Sequence, residues 1–410
     1  MSSPPIPALP GAFNRLVWSN LAAQSAEQIA LAAAPIAAVF AFGAGAGETG
    51  LLQTAQTLPF LVFAVPAGIL VDRASRRDLM VGAEALRALS LLAILLLTMA
   101  KSLTLPLLAL LGCIGAVGTV AFSVAAPALV PALVSREALS SANARLELAR
   151  SIAFASGPAL AGALVGWAGA PPAFGLATTL SACAVMLLIG LPEPDRLTPP
   201  KRHVSRDLKE GAKFLFSHPL LRPVLLTAVF FNTAFLIMQA VYVPYAAQTL
   251  NLSPRSVGAT LAAYGVGMVM GAMLSGRLAR RVSFGMMIAI GPIAGVASSL
   301  AMLATIWVPS VWLAGLSFFL IGAGPVLWTI STTTLRQAVT PNLLLGRVSA
   351  VILMATWGTR PLGAALGALI GAAYGAQSAL VVAVIGFLIQ AAIIVTSSVP
   401  HLACQPEMAH

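Results

Sequence analysis

The sequence predicts an all-α membrane protein of twelve transmembrane helices, arranged as two related six-helix bundles. Three observations predict this fold class. The 410 residues are 59% hydrophobic but only 9% charged, whereas soluble domains carry about 25% charged residues. Twelve apolar segments have the roughly 20 residues that a helix needs to cross a bilayer. Glycines and prolines also recur at matching positions in the two halves of the chain.

The twelve segments were delimited by charges, by proline and glycine clusters and by polar turns. Their predicted limits are 16–41, 49–71, 78–100, 104–133, 143–168, 172–192, 222–248, 256–279, 284–306, 309–335, 345–373 and 376–397. The longest polar stretch, 193–221, predicts a cytoplasmic linker with a short amphipathic helix at 208–216. We therefore expect an N-terminal bundle at 1–192, and a C-terminal bundle with a short cytoplasmic tail at 222–410.

The positive charges predict how the chain is oriented. If the N-terminus is cytoplasmic, 19 of the 23 Lys and Arg residues fall in cytoplasmic loops or at cytoplasmic helix ends. Lys101 and Arg255 lie outside, while Arg87 and Arg360 lie within spans. Because cytoplasmic loops of membrane proteins are enriched in Lys and Arg, we expect an inner-membrane protein with both termini in the cytoplasm. The net charge of +11 then reflects topology, and no nucleic-acid partner is expected.

The composition also bears on other classes of function. Neither CxxC nor HExxH spacing occurs, and there is no Walker loop, so we expect no metal, no cofactor and no ATP-driven step. No loop is long enough to house a soluble output domain, which leaves a membrane sensor as a distant alternative. We therefore expect a protein that is not an enzyme.

The two halves repeat each other in sequence. Residues of the same type lie 203 to 209 positions apart in corresponding spans: Gly50 with Gly258, Gly68 with Gly276, Pro35 with Pro244, and Pro158 with Pro361. Small changes of the offset are what different loop lengths produce. A parallel repeat of six helices is therefore predicted.

Two motifs resemble signatures of a known family. The segment from Gly68 to Arg77, Gly-Ile-Leu-Val-Asp-Arg-Ala-Ser-Arg-Arg, is similar to the GxxxDRxGRR motif between helices two and three of the major facilitator superfamily, with Ser75 in place of its second glycine. Gly157-Pro158-Ala-Leu-Ala161-Gly162 is similar to the GPxxGG core of that family's antiporter motif in helix five, with Ala161 in place of a glycine.

Two further segments extend this resemblance over essentially the whole chain. Ser25-Ala26-Glu27, with Pro35 eight residues later, resembles the GD…LP pattern of helix one. Leu335-Arg336-Gln337, followed by Pro341 and Gly346-Arg347, resembles the loop between helices ten and eleven in the branch of enterobactin exporters and macrolide-efflux proteins.

The resemblance implies a secondary active transporter with the major facilitator fold. It implies proton-coupled efflux, by antiport and alternating access, of an amphipathic small molecule such as a drug or a siderophore. An uptake symporter or a lysophospholipid flippase of the same fold is the alternative. The expected partners are the small-molecule cargo, protons and membrane lipids, and the protein is expected to be monomeric.

The resemblance also implies roles for the two motifs. Asp72 would meet the N-terminus of the eleventh span, where a helix dipole favours a carboxylate, and Arg73, Arg76 and Arg77 would pair locally or hold anionic lipid headgroups. This contact would close the cytoplasmic side; alternatively, the arginines only set the topology. Gly157, Pro158 and Gly162 would admit a kink and a close helix approach; alternatively, they only allow tight packing.

The polar residues within the spans are the candidates for cargo and proton binding. Asn20, Gln24 and Glu27 share one face of the first span, and Glu27 lies near mid-membrane, where a carboxylate costs about 3 kcal/mol. Glu27 therefore either carries the coupled proton or is a neutral or paired structural residue.

Further candidates lie in the third, seventh and eleventh spans. Arg360 either contacts an anionic substrate or pairs with Glu27 or with backbone carbonyls. Asn232, Gln239 and Tyr242 share a face of the seventh span, which the family places at the central cavity. Glu84 and Arg87, three residues apart, are interpreted as a structural pair in a peripheral helix.

Overall fold

The computed structural model describes residues 10–135, 138–192 and 204–406. Within these ranges it does not describe the side chains of 64–65, 68–69, 71–73, 127–128, 131–132, 140, 204–205 and 342–343. The described chain forms these α-helices: α1 (Gly11–Phe42), α2 (Ala46–Arg73), α3 (Arg76–Met99), α4 (Leu105–Leu133), α5 (Leu139–Ala168), α6 (Ala170–Ile189), α7 (Val204–Ser217), α8 (Leu221–Gln248), α9 (Pro254–Leu278), α10 (Phe284–Ala304), α11 (Val311–Val339), α12 (Asn342–Tyr374) and α13 (Ala376–Val395).

Twelve of these helices match the twelve predicted spans, and α7 is the linker helix. Spans seven to twelve are therefore α8 to α13. The limits differ from the predicted ones by a few residues. The largest difference is at α1, which begins at Gly11 instead of residue 16, because its first turn is polar and hydropathy does not mark it as helical. The linker helix, Val204–Ser217, is likewise longer than the predicted 208–216.

Short turns join consecutive helices, and their chemistry repeats between the two halves. Gly169 links α5 to α6 with a φ of 75°, and Gly375 links α12 to α13 with a φ of 83°. Because L-residues with a side chain rarely adopt this left-handed region, glycine is favoured at both corresponding turns. This pair of turns is a structural counterpart of the sequence repeat.

Each half is a bundle of six helices. In the first half α1 packs on α5 and α6, and α3 packs on α4 and α6; in the second half α8 packs on α12 and α13, and α10 packs on α11 and α13. Between the halves, α2 lies along α12 and α5 lies along α9. The repeat relates these two contacts to each other, because α2 of the first half corresponds to α9 of the second half and α5 corresponds to α12. The exact domain boundaries remain a prediction, because 193–203 lies outside the described residues.

The helices have the length and composition of membrane spans. Ten of those in the described part of the chain are long and apolar enough to cross a bilayer. The other two long ones, α2 with 28 residues and α12 with 33, carry polar residues that face the interior. Four aromatic residues near the ends of helices, Trp167, Trp307, Trp312 and Tyr374, are all highly exposed, as interface anchors are. The protein is thus a multi-pass membrane protein, and the orientation of its termini stays a prediction from charge.

The linker helix is fastened to the start of α12. Arg347 Nε lies 2.8 Å from Asp207 Oδ1, and Arg347 Nη1 pairs with Glu210 Oε2. Leu215 of α7 is buried in the same cluster as Val348 of α12. The linker is therefore held by the second half of the molecule at the end that carries both termini, called here the linker end.

Candidate functional site

The two halves meet with their helix backbones in close contact at the end of the bundle opposite the linker, called here the outer end, and again halfway along α9, where Gly265 lies against the backbone of Phe154 and Ala155 in α5. Gly162 of α5 faces Gly258 of α9, and a Cβ on Gly162 would lie 2.7 Å from the Cα of Gly258. Near the start of α2, a Cβ on Gly50 would lie 2.5 Å from the Cα of Ala368 in α12. Because no side chain larger than hydrogen fits at these glycines, the helices cross with their backbones in contact. The outer end is therefore closed by two glycine-dependent crossings.

The helix-five motif takes part in one of these crossings. Gly162 forms it, and the carbonyl oxygen of Pro158 lies against Gly258. Gly157 instead faces α1, where a Cβ would lie 2.5 Å from the Cβ of Gln28. Glycines recur every fourth residue in α12, but not all of them contact the other half. Gly363 and Gly367 face α8 within their own bundle.

The predicted gating motif lies at the linker end. Arg77 Nη2 forms an ion pair with Asp78 Oδ1 at 2.8 Å, and Arg76 is the first residue of α3. The surroundings of Gly68, Asp72 and Arg73 fall outside the described residues. The proposed contact between Asp72 and the start of the eleventh span therefore stays a prediction.

A cavity of about 360 Å³ lies between the two halves, within the size range of small-molecule sites. Residues from α1, α2, α3, α4, α5, α6, α8, α9, α11 and α12 line it. Its polar lining consists of glutamines, hydroxyls and four charged residues: Gln24, Glu27, Gln28, Gln53, Gln56, Thr57, Arg87, Ser90, Thr119, Ser123, Arg150, Gln239 and Arg360. The remaining wall is aliphatic and aromatic, so the cavity suits an amphipathic molecule.

Four of the seven residues predicted for cargo and proton binding line this cavity, namely Gln24, Glu27, Gln239 and Arg360. The other three do not. Asn20 is buried outside the lining. The Asn232 side chain donates to the Ala228 carbonyl oxygen of its own helix at 2.9 Å. The Tyr242 hydroxyl is hydrogen-bonded to Thr260 of α9, and its fully buried ring packs on Phe318.

Glu27 lies beside a buried charge cluster. Arg87 of α3 approaches Glu84 at 3.2 Å and Glu27 at 3.9 Å, and its Nη1 donates to the Ala23 carbonyl oxygen at 2.9 Å. Ser181 of α6 donates to the Glu84 carboxylate. Glu84 and Arg87 do form the predicted pair, but Arg87 also lines the cavity, which the peripheral placement of the third span had not suggested.

Arg360 makes neither a hydrogen bond nor an ion pair within the described chain. Its guanidinium lies over the ring of Phe60, with 5.6 Å between its Cζ and the ring centroid. Phe60 of α2 in turn meets Trp357 of α12 edge to face, at 5.3 Å. Of the three alternatives considered for Arg360, pairing with Glu27 or with backbone carbonyls is not seen in the described part of the chain, and contact with an anionic substrate stays a prediction.

A second aromatic contact between the halves lies on the other side of the cavity. Phe154 of α5 and Tyr264 of α9 have ring centroids 5.8 Å apart, and Arg150 lies over Phe154. The sequence does not predict these aromatic contacts. No local signal marks them, because an aromatic residue in a span is as consistent with lipid contact as with a cavity.

The whole fold resembles solved transporters. The nucleoside transporter NupG matches with a TM-score of 0.76 at 11% identity, covering 94% of this chain and 99% of that one. A D-xylose-proton symporter matches with a TM-score of 0.74 at 12% identity, covering 94% and 97%. A bacterial homologue of the iron transporter ferroportin, in an inward-facing state, matches with a TM-score of 0.72 at 16% identity, covering 94% and 98%. At such identities the likeness shows the fold alone.

Curated relatives include two proteins described as enterobactin exporter EntS. The one from Citrobacter koseri is 29% identical over 227 residues, which are 55% of this chain and 53% of the relative. The one from Escherichia coli O1:K1 is 28% identical over 225 residues, with the same coverage. The alignments thus span about half the length of the curated relatives.

A family profile covers almost the entire sequence. Residues 12–409 match the family described as transmembrane secretion effector. The family and the relatives consist of transporters and not of enzymes, in agreement with the expectation from composition. The chain belongs to the transmembrane secretion effector family of the major facilitator superfamily.

Proposed function

We propose that this transporter exports an amphipathic small molecule from the cell by alternating access, in exchange for protons carried by Glu27. The observation that carries this proposal is the cavity between the halves, which has an apolar wall and one carboxylate, Glu27, among its lining residues. The export direction is supported by the description of the curated relatives as exporters.

The distribution of contacts supports alternating access. Two glycine crossings join the halves at the outer end, while the contact of Gly265 with α5 and the two aromatic contacts lie beside the cavity. In the proposed cycle, cargo enters from the linker end while the outer crossings hold the other end closed. Rocking of one bundle against the other would open the outer crossings and release the cargo outside.

Glu27 has the setting that a proton carrier needs. Its side chain is 13% exposed, whereas that of its neighbour Glu84 is fully buried. Glu27 therefore touches the cavity, where protons and cargo arrive, while Glu84 does not. A carboxyl group that faces the outside in one state and the cytoplasm in the other can bind a proton on one side and lose it on the other.

The test begins with the cargo. A strain that overproduces the protein is compared with an empty-vector strain against a panel of toxic amphipathic compounds, and we expect resistance to some of them. Everted vesicles are then energised and given a compound that scored. We expect the compound to enter the vesicles and to release protons from them, and Glu27→Gln to abolish this release.

The matched control is Glu147→Gln on α5, where an exposed glutamate is neutralised outside the cavity lining. This variant is expected to release protons as the wild type does. Increased sensitivity with accumulation inside cells would contradict export and favour the uptake symporter. Proton release that survives in Glu27→Gln would remove Glu27 from the coupling step.

A further inference from the structure

Arg87 is held rigidly along one side of its guanidinium group. Nη1 donates to the carbonyl oxygen of Ala23 at 2.9 Å and lies 3.2 Å from Glu84 Oε2. The group also lies over the ring of Phe122 in α4, 5.9 Å from its centroid. Glu84 is itself fixed by the hydroxyl of Ser181 in α6. Contacts from α1, α3, α4 and α6 therefore determine the position of this arginine.

The other side of the same guanidinium group is free. Nε and Nη2 have no hydrogen-bond acceptor within the described part of the chain, although both atoms are buried. These two nitrogens form the edge with which an arginine binds a carboxylate through two parallel hydrogen bonds. A buried charged donor without an acceptor is costly, so this edge requires a partner in some state of the molecule.

Glu27 is the carboxylate placed to be that partner. Its Oε2 lies 3.9 Å from Arg87 Nη2, which is about 1 Å too long for an N–H···O hydrogen bond. Glu27 follows Ala23 by one turn of α1, so the backbone that anchors Arg87 also carries Glu27.

We propose that Arg87 is the positioning residue of the proton site, and that its free Nε–Nη2 edge binds the Glu27 carboxylate whenever Glu27 has lost its proton. Protonation of Glu27 weakens this contact and releases the side chain towards the cavity. The inference rests on the proposed role of Glu27 as the proton carrier. Glu84 differs from Glu27 in its role, because its buried carboxylate holds Arg87 in place and does not face the cavity.

Three other charged groups surround this site: Glu84 on α3, Arg150 on α5 and Arg360 on α12. Glu84 forms an ion pair with Arg87 through Oε2, which has no hydrogen-bond partner among the described residues, and accepts a hydrogen bond from Ser181 through Oε1. Arg150 pairs with Glu147 and lies over Phe154, and Arg360 lies over Phe60. Among the cations that line the cavity, only Arg87 lies within 4 Å of Glu27, so Arg87 is expected to dominate the stabilisation of the Glu27 anion.

The protonation of Glu27 can be measured directly on purified protein without cargo. Infrared difference spectra between pH values report the carbonyl stretch of a protonated carboxyl group, and the band missing from Glu27→Gln belongs to Glu27. We expect this band to persist to a pH about 1–3 units higher in Arg87→Gln than in the wild type, because the nearby positive charge is lost. Arg87→Lys keeps a charge without the two-pronged edge, so its shift should be smaller and in the same direction.

The matched control is Arg277→Gln, which removes an arginine from the last turn of α9 and should leave the titration unchanged. A Glu27 band that titrates alike in the wild type, Arg87→Gln and Arg87→Lys would overturn the inference; if Arg87→Gln does not fold, Arg87→Lys alone decides it. Failure of the proposed function is separate, since it appears as transport without proton release while the infrared shift persists.

Discussion

The crossing of α5 and α9 at the outer end of the transporter requires glycine at position 162. In Gly162→Ala the new Cβ would lie 2.5 Å from the Pro254 carbonyl oxygen and 2.7 Å from the Cα of Gly258. Carbon atoms in contact need about 3.5–4.0 Å, so the two helices must separate by roughly 1 Å. Neither obstacle is a flexible side chain, so the strain cannot be relieved by a rotamer change.

The cost of this overpacking is about 1–3 kcal/mol. Under the proposed alternating access, this cost applies only to the state in which the outer end is closed, since the crossing is open in the other state. The higher helix propensity of alanine acts in both states and cancels from their ratio. The population of the outer-closed state relative to the outer-open state should therefore fall by roughly 5- to 150-fold.

Spin labels can report this shift. The native cysteines Cys113, Cys183 and Cys404 are first replaced by serine, and labels are placed at Ser102 and Val308, which lie in exposed turns at the outer ends of the two halves. Double electron–electron resonance should show the longer distance gaining weight in Gly162→Ala. Gly258→Ala should reproduce the effect, since its Cβ would lie 2.7 Å from the Cα of Gly162.

Gly276→Ala is the control for this experiment, because a Cβ at that position of α9 meets nothing within 4 Å. Its distance distribution should match that of the unsubstituted protein. If Gly162→Ala and Gly258→Ala also match it, the crossing does not hold the outer end closed, and the argument from close backbone contact is refuted.

Three further predictions concern pH, the linker and a buried tyrosine. Neutral His218 Nδ1 accepts hydrogen bonds from the two backbone N–H groups at the start of α8, and burial lowers the pKa of His218. The stabilisation by neutral His218 is complete above the ordinary pKa of about 6.5 and is lost as the pH falls through the lowered pKa. His218→Asn should therefore make the Tm fall less steeply at acidic pH. Arg347→Gln should cost roughly 0.5–1 kcal/mol because its ion pairs are partly exposed, and should speed hydrogen exchange in α7 more than Arg206→Gln does. Tyr242→Phe should lower the free energy of unfolding by about 1 kcal/mol and leave transport unchanged, whereas Gln239→Ala should change the apparent affinity for cargo.

Helix positions could be predicted from the sequence because membrane spans have a fixed length and an unbroken apolar pattern. The failures follow from the same criterion. Hydropathy detects the part of a helix that lies in lipid, so it overlooked the polar first turn of α1 at Gly11 and shortened the linker helix. The repeat of glycines and prolines predicted two matching halves, and the glycine turns at 169 and 375 show that match in the structure.

The cavity was only partly predictable. Glu27 stood out because a carboxylate at mid-membrane needs a reason to be there. Arg87 did not stand out, because the sequence predicts an ion pair between Arg87 and Glu84, three residues earlier in the same helix. Tyr242 shares a face with Asn232 and Gln239, and the resemblance to the major facilitator superfamily places the seventh span at the central cavity. A polar face of α8 can also face a neighbouring helix, and Thr260 of α9 is the hydrogen-bond partner of the Tyr242 hydroxyl.

The repeat and its exceptions point to different tasks for the scaffold and for the charges. The contacts between the halves follow the repeat, since α2 with α12 and α5 with α9 are related pairs, and matched surfaces let two similar bodies rock about a common cavity. Among the described residues, the cluster of Glu27, Glu84 and Arg87 has no counterpart in the second half, which contributes Arg360 instead. Because Glu27 belongs to one bundle, the proton of the proposed cycle would move with that bundle relative to a cation held by the other. Neutralising Arg360 should therefore change the affinity for cargo, whereas the pH range over which Glu27 loses its proton should still depend mainly on Arg87.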